Sequence, residues 1–190
     1  MNIAKIKYND IADGLGVRTT VFVSGCRRYC SGCQNPEAWD FDYGEPFTEE
    51  TQRKIFKSIE PYWIQGLTVC GGEPFEPENE AALLPFLKEF RELYPIKDVW
   101  IYSGFTYEEL KGREMLKYCD VLVDGPFVAE LKDAGLAFRG SRNQRIIQME
   151  NGQNSTDAAF ARLKAACDEV SKRHAAEGGK RNERGQGSEV

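Results

Sequence analysis

An α/β fold with a mainly parallel sheet is the architecture that the sequence predicts, and two observations support it. Short runs of β-branched and aromatic residues alternate along the chain with segments of helical length, as in successive βαβ crossovers. Glycine or a polar turn follows these runs, which is typical of strand ends. About five strands are too few to close the eight-stranded barrel of this class, so we expect an open, partial barrel.

Each element follows from a local pattern. Residues 18–24 and 67–70 are rich in apolar and β-branched types and are followed at once by glycine, which indicates buried strands. Residues 48–60 begin with Thr48, a residue type that caps helices. On similar grounds we expect strands at 99–102 and 121–123, a fifth at 145–148, and helices at 78–93, 106–118 and 158–172.

The domain organisation is expected to be simple. Residues 1–174 are of a length that suits a single domain with one core. Residues 175–190 are rich in Gly, Glu, Lys and Arg and contain no apolar residue larger than alanine before Val190. Such a segment cannot bury apolar surface, so we expect a disordered polar tail.

Composition narrows the functional class. A net charge of −5 and a pI near 5.1 give no reason to expect binding to nucleic acid or to an anionic membrane. The opening residues lack the apolar core of a secretion signal, so we expect a cytoplasmic protein. In that reducing compartment, clustered cysteines are metal ligands or catalysts more often than disulfides.

Three of the six cysteines are clustered in one loop. Cys26, Cys30 and Cys33 have the spacing C-x3-C-x2-C directly after the first predicted strand. Structural zinc takes four protein ligands and iron-sulfur electron carriers have four cysteines, whereas three ligands leave one iron open to a substrate. A zinc knuckle or inert thiols are the alternatives, and the missing fourth ligand argues against both. Cys70, Cys119 and Cys167 are interpreted as buried core residues.

Polar, glycine-rich turns follow three other predicted strands. They are Gly71-Gly72-Glu73-Pro74, Ser103-Gly104 and Asp124-Gly125-Pro126. The carboxyl ends of parallel strands meet at one edge, where α/β proteins bind ligands, so these turns should converge with the cysteine loop. Glycine permits close backbone approach to a ligand, and Glu73 or nearby carbonyls can accept from its ammonium group. Each turn, taken alone, also fits an ordinary structural turn.

The cysteine motif resembles that of the radical S-adenosylmethionine (SAM) superfamily, C-x3-C-x-aromatic-C, and the resemblance extends over residues 10–150. Gly32 stands where that superfamily has an aromatic residue. This glycine, together with Ser24-Gly25 before the loop and Gln34-Asn35-Pro36 after it, is similar to the subfamily that activates anaerobic ribonucleotide reductases. Further matches to this subfamily are Asp13-Gly14, the 71–74 turn, Tyr102-Ser103-Gly104-Phe105, Asp124-Gly125-Pro126-Phe127 and residues 139–145.

The resemblance implies that Cys26, Cys30 and Cys33 hold a [4Fe-4S] cluster whose open iron chelates SAM. It implies a 5'-deoxyadenosyl radical that installs a glycyl radical on the large subunit of an anaerobic ribonucleotide reductase. The electron would come from a donor such as flavodoxin or ferredoxin, and no catalytic residue is required beyond the cluster and SAM. The positions expected to contact the cofactors are Gly32, Cys33, Gln34, Gly71, Gly72, Glu73, Pro74, Ser103 and Asp124.

Other functions stay open at this stage. The chain could activate a different glycyl radical enzyme or act on a small molecule, although Gly32 and the arginine-rich segment 139–145 argue against both. It could also be a non-catalytic iron-sulfur or zinc module, which would need a fourth protein ligand and no SAM. The segment 139–145 is interpreted first as a docking or structural element, with a solvated turn or a contact to the SAM carboxylate as alternatives.

Overall fold

The computed structural model describes residues 1–150 and the backbone of residues 153–154. Residues Met1–Ser155 form one compact unit. The predicted helix at 158–172 and the predicted tail at 175–190 lie outside the described residues. In the described part of the chain, no helix has the length and apolar character that a membrane crossing requires.

The compact unit is an α/β structure around one open sheet. Its strands are β1 (Asn2–Asp10), β2 (Val17–Val23), β3 (Glu45–Pro46), β4 (Ile64–Gly71), β5 (Asp98–Tyr102), β6 (Val121–Asp124), β7 (Arg145–Glu150) and β8 (Gln153–Asn154). Its α-helices are α1 (Glu49–Ile59), α2 (Pro77–Leu93) and α3 (Tyr107–Leu110). Three short 3-10 helices occupy Pro36–Trp39, Glu114–Tyr118 and Ala129–Leu131.

The sheet is mixed rather than mainly parallel. Its order is β3-β1-β2-β4-β5-β6-β7-β8. The pairs β2–β4, β4–β5 and β5–β6 are parallel, as the βαβ pattern predicts, whereas β1, β3, β7 and β8 all pair antiparallel. The sequence prediction therefore described the centre of the sheet and was wrong about its edges. It was right that the sheet stays open, since its two ends do not pair.

Strand β1 was missed and one helix was predicted too long. β1 has few fully buried positions, so its sequence lacks the apolar run that marks a central strand. The predicted helix at 106–118 is two elements: α3, begun by the capping box of Thr106 and Glu109, and the 3-10 helix Glu114–Tyr118. Between them Gly112 has a φ of +91°, a conformation that ends helices.

Helices α1 and α2 cover the sheet with apolar faces. Ile55, Phe56 and Ile59 of α1 are buried, and so are Leu83, Phe86, Leu87 and Phe90 of α2. They pack in one core with buried side chains of β2, β4, β5 and β6. In the parallel centre Val23 pairs with Gly71, the last residues of β2 and β4. The two loops that follow these strands therefore start side by side.

Candidate functional site

A cavity of about 410 Å³ lies at the carboxyl ends of the central strands. The cysteine loop after β2, the turn after β4 and the turn after β5 all contribute to its wall. Of the residues predicted to bind cofactors, eight line it: Cys26, Cys30, Cys33, Gln34, Gly71, Gly72, Glu73 and Ser103. The convergence expected from strand topology is thus present in the structure for these residues.

The cysteine loop presents three free thiols to this cavity. Cys26 is 8% exposed, and Cys30 and Cys33 are half-buried. The Cys26 N–H donates to the Trp39 carbonyl at 3.1 Å, the Cys33 N–H donates to the Cys30 carbonyl at 3.1 Å, and the Asn35 N–H donates to the Cys33 sulfur at 3.4 Å. A backbone donor aimed at a ligand sulfur is one of the ways in which proteins adjust iron-sulfur clusters.

The donor set suits a cluster better than a single metal ion. No three His, Cys, Asp or Glu side chains within the described residues come close enough together to enclose one ion. A four-iron cluster places each thiolate on a different iron, so it does not require that closeness. Burial raises the pKa of the Cys26 thiol to about 11, so binding of iron there would have to displace a proton.

Buried polar side chains of α2 and of the residues just before it hold the cysteine loop in place. The Asn79 side-chain amide is fully buried and donates to the Ser24 and Glu73 carbonyls, each at 2.9 Å. Glu76, 5% exposed, accepts from the Arg27 N–H at 2.8 Å and from its guanidinium at 2.7 Å. Sequence reasoning missed Asn79 and Glu76, because nothing local distinguishes them from ordinary polar residues at the start of a helix.

Gly72 lines the cavity and also lies tightly against the cysteine loop. A Cβ at Gly72 would lie 2.6 Å from the Gly25 carbonyl oxygen and 2.9 Å from the Ala38 carbonyl oxygen. The missing side chain therefore makes room for the chain's own cysteine loop. The Gly72 N–H donates to the Val23 carbonyl at 2.7 Å, and the Glu73 N–H donates to the Gly25 carbonyl at 2.9 Å. This turn and the cysteine loop are built as one unit.

The carboxylate of Glu73 is engaged inside the protein. Glu73 is 1% exposed. It accepts hydrogen bonds from the Ser103 hydroxyl at 2.8 Å, the Gly104 N–H at 2.7 Å and the Phe75 N–H at 3.0 Å. Burial raises the pKa of Glu73 to about 7, against the lowering effect of these donors and of nearby Arg28. Glu73 and Ser103 thus join the turns after β4 and β5 at the cavity wall.

Three predicted contact residues, Gly32, Pro74 and Asp124, are not part of the cavity wall. Asp124 is fully buried and accepts from the Tyr107 N–H at 2.6 Å and from Arg145. Its observed partners are those of a structural residue that joins the end of β6 to the start of β7. Gly32 is exposed, and a Cβ there would contact Phe127, an aromatic residue of the cavity wall, at 3.6 Å.

The inner part of the cavity carries groups that sequence reasoning did not assign. Lys7 donates to Asp13 at 2.9 Å, and the Tyr102 hydroxyl is buried with no partner among the described residues. Cys70, interpreted from sequence as core, is 6% exposed and also borders the cavity. Burial raises its pKa well above the ordinary value. Lys7 could not be found from sequence because it comes from β1, the strand that was missed.

The arginines of segment 139–145 have separate environments. Arg139 borders the cavity and donates to the Gln144 carbonyl at 3.3 Å. Arg142 lies 3.5 Å from Asp133 at the surface. Arg145 pairs with Asp124 and Glu108. The structural interpretation of this segment therefore fits Arg145, and only Arg139 reaches the cavity.

Comparison with known proteins defines the class first. Residues 12–147 match the family described as "4Fe-4S single cluster domain". This match spans most of the described residues and includes the cysteine loop and every turn that lines the cavity. The chain is therefore a single-cluster iron-sulfur protein, and an iron-sulfur cluster is its cofactor.

Individual relatives define the family more narrowly. A protein of Pasteurella multocida is 43% identical over 152 residues, which cover 77% of this chain and 96% of the relative. A protein of Vibrio cholerae is 40% identical over 77% of this chain and 97% of its own length. One of Enterobacteria phage T4 is 36% identical over 80% and 97%. All three are named anaerobic ribonucleoside-triphosphate reductase-activating protein, and the chain belongs to that family.

Proposed function

We propose that this protein is a radical SAM activating enzyme that installs a glycyl radical on the large subunit of an anaerobic ribonucleotide reductase. The observation that carries the proposal is the meeting of Cys26, Cys30 and Cys33 with the Gly71–Glu73 turn at one cavity. A site for a cluster and a site for a second small ligand are thus contiguous. The names of the relatives supply the partner.

In this proposal the three thiolates hold a [4Fe-4S] cluster and leave one iron open. When bound and reduced, such a cluster would supply the one electron that splits SAM into methionine and a 5'-deoxyadenosyl radical. That radical would take a hydrogen atom from a glycine of the partner. The chain itself binds, orients and excludes water. We also propose that the open sheet is a shortened radical SAM barrel, with the site at the carboxyl ends of its parallel strands.

The cavity offers surfaces that suit the parts of SAM. Backbone carbonyls of the turn after β4 can accept from the ammonium group, because the Glu73 carboxylate already has three donors. Phe127 and Phe138 line the wall and offer apolar ring surface to adenine. Gly32 packs near Phe127, so the aromatic surface that the cysteine loop lacks is available from the segment after β6.

The partner and the electron source complete the proposal. The glycine to be activated belongs to a separate protein, so the cavity must be reached by a segment of that protein. A reduced flavodoxin or ferredoxin in the cytoplasm is the proposed electron donor. The acidic charge balance, −5 over the chain, gives no support to nucleic acid or an anionic membrane as a partner.

The test is anaerobic reconstitution followed by three measurements. We expect about four irons per chain, formation of 5'-deoxyadenosine and methionine from SAM after reduction with dithionite, and a glycyl radical signal in electron paramagnetic resonance once the reductase subunit is added. Iron without SAM cleavage would indicate a non-catalytic module. SAM cleavage with a radical on formate lyase, and none on the reductase, would assign a different partner.

A further inference from the structure

Arg27 and Arg28 are adjacent in the cysteine loop and have opposite environments. Arg27 points to α2, where its guanidinium donates to Glu76 at 2.7 Å and to Glu78 at 2.6 Å. Arg28 points to the cavity and lines it. Its Nε is buried and has no hydrogen-bond partner among the described residues. One arginine is satisfied by carboxylates of its own chain, and the other is not.

The Arg28 side chain is held in position although its Nε has no hydrogen-bond partner among the described residues. Its guanidinium lies over the Phe105 ring, 4.6 Å from the centroid. A Cβ at Gly104 would be 2.4 Å from Arg28 Cδ and 2.5 Å from Nε, so the glycine is what lets the arginine lie against this turn. Glu73 is near enough for Arg28 to lower its pKa, but the donors on that carboxylate are Ser103, Gly104 and Phe75.

A fixed, half-buried guanidinium whose Nε finds no acceptor in the described part of the chain is suited to bind an anion. Arginine stays charged at any physiological pH and matches the two oxygens of a carboxylate. Of the other two cations of the cavity wall, Lys7 is paired with Asp13 at 2.9 Å. Arg139 donates one hydrogen bond, to the Gln144 carbonyl at 3.3 Å, but its Nε is also buried without a partner among the described residues, so Arg139 is the competing candidate. Of the two arginines between Cys26 and Cys30, Arg28 is the one that lines the cavity together with these cysteines.

We infer that Arg28 binds the carboxylate of the amino-acid portion of the cavity ligand, which is the methionine carboxylate of SAM. This assignment rests on the proposed function, since it requires that SAM occupies the cavity. The carboxylate is the only anionic group of SAM, so one available arginine suffices. Arg28 is therefore a ligand-binding residue of the cysteine loop, and the SAM carboxylate is its hydrogen-bond acceptor.

The experiment measures binding rather than turnover. Cluster-loaded protein, kept oxidised under argon so that SAM is not cleaved, is dialysed to equilibrium against SAM or against decarboxylated SAM. The variants are Arg28→Gln and Arg28→Lys, with Arg139→Gln as the competing assignment. Arg142→Gln is the matched control, because Arg142 lies at the surface and does not line the cavity. Iron content and circular dichroism are recorded for each variant before binding is measured.

A charge-assisted hydrogen bond in a half-buried site corresponds to roughly tenfold or more in affinity. We expect Arg28→Gln to weaken SAM binding by that factor and Arg28→Lys by less, while Arg142→Gln leaves it unchanged. The loss of affinity from SAM to decarboxylated SAM is then compared between proteins. It should be about tenfold greater in the wild type than in Arg28→Gln, because the variant has already lost the contact to the carboxylate. This dependence between residue and ligand group is what a merely structural arginine would not produce.

Three results would overturn the inference. An equal loss on carboxylate removal in the wild type and in Arg28→Gln means that Arg28 does not contact that group. Loss of this dependence in Arg139→Gln alone moves the contact to Arg139. If neither Arg28 variant holds iron, the side chain is needed to form the cluster site rather than to bind SAM. If the wild type holds its cluster and binds no SAM, the proposed function fails instead.

Discussion

Two buried carboxylates, at the carboxyl ends of the two strands that flank β5, have contrasting partners. Glu73 follows β4 and is 1% exposed, and Asp124 ends β6 and is fully buried. Asp124 is neutralised inside the protein by Arg145, which approaches it through Nε and a terminal nitrogen. Glu73 has three uncharged donors and no ion pair within the described residues. The nearby cation, Arg28, faces the cavity instead.

This difference distinguishes a carboxylate with a structural role, Asp124, from one that lies beside a ligand site, Glu73. At the β6 end, the Asp124 carboxylate has its ion pair and hydrogen bonds within the chain, so it joins β6 to β7. At the β4 end, the Arg28 Nε and the Tyr102 hydroxyl stay without partners in the described structure. Buried polar groups are usually satisfied, so unpaired ones at a cavity indicate where a ligand completes the structure.

The largest effect is expected when the cysteines of the ligand site are replaced. Replacing Cys26, Cys30 or Cys33 with alanine should abolish the cluster, because each removes one of only three proposed thiolate ligands. Iron and sulfide analysis after anaerobic reconstitution checks this. Cys119→Ala is the control, since Cys119 lies in the core and does not border the cavity. Full iron content in all three loop variants would contradict the cluster assignment.

The next largest effect is expected at Gly72. A Cβ there would lie 2.6 Å from one carbonyl oxygen of the cysteine loop, and that oxygen belongs to backbone, which cannot move aside cheaply. We therefore expect Gly72→Ala to reduce iron content together with SAM binding. Gly135→Ala is the control, because the nearest atom to its added Cβ would be a side-chain oxygen 3.3 Å away in an exposed loop. Normal iron content with weak SAM binding would instead support the close ligand approach that the sequence predicts for Gly72.

The centre of the fold and the cysteines could be predicted because their signals are local. Apolar runs followed by glycine marked β2, β4, β5 and β6, and C-x3-C-x2-C marked the metal loop. The antiparallel edges could not be predicted, since β1 is a half-exposed strand whose sequence lacks a continuous apolar run. Strand direction at an edge depends on distant pairing rather than on local composition.

The roles within the site were harder to predict than its membership. Ser103 and Asp124 both stand in polar turns after strands, yet Ser103 lines the cavity and Asp124 does not. What separates Asp124 is Arg145, a partner 21 residues away. Arg27 and Arg28 likewise look equivalent in sequence, and only the positions of Glu76 and Gly104 tell them apart. Long-range partners of this kind leave no local signal in a single sequence.

A smaller effect is expected when the internal ion pair is broken. Asp124→Asn should lower the free energy of unfolding by about 2 kcal/mol, because the buried side chain at position 124 loses its charge-assisted hydrogen bonds with Arg145. The loss is moderated by Glu108, which also pairs with Arg145. Iron content and SAM affinity should stay at wild-type values. Urea denaturation and dialysis check the two parts, and weaker SAM binding in a stable variant would return Asp124 to the ligand site.

The smallest effect is a change in the pH dependence of stability at Glu73. Burial raises the pKa of Glu73 from 4.5 to about 7, so the folded protein holds this proton more tightly than the unfolded chain does. This contribution is fully present below about pH 4.5 and is lost as pH rises to about 7, by at most about 1.4 kcal/mol per pH unit. Glu73→Gln cannot titrate, so its free energy of unfolding, measured in cluster-free protein by urea denaturation from pH 5 to 8, should decline less over this range than that of the wild type. Asp124→Asn serves as the comparison and should leave the decline in place. Equal slopes for wild type and Glu73→Gln would show that folding does not raise the pKa of Glu73. A cation would then compensate its charge, as Arg145 does for Asp124, and the contrast between the two strand ends would disappear.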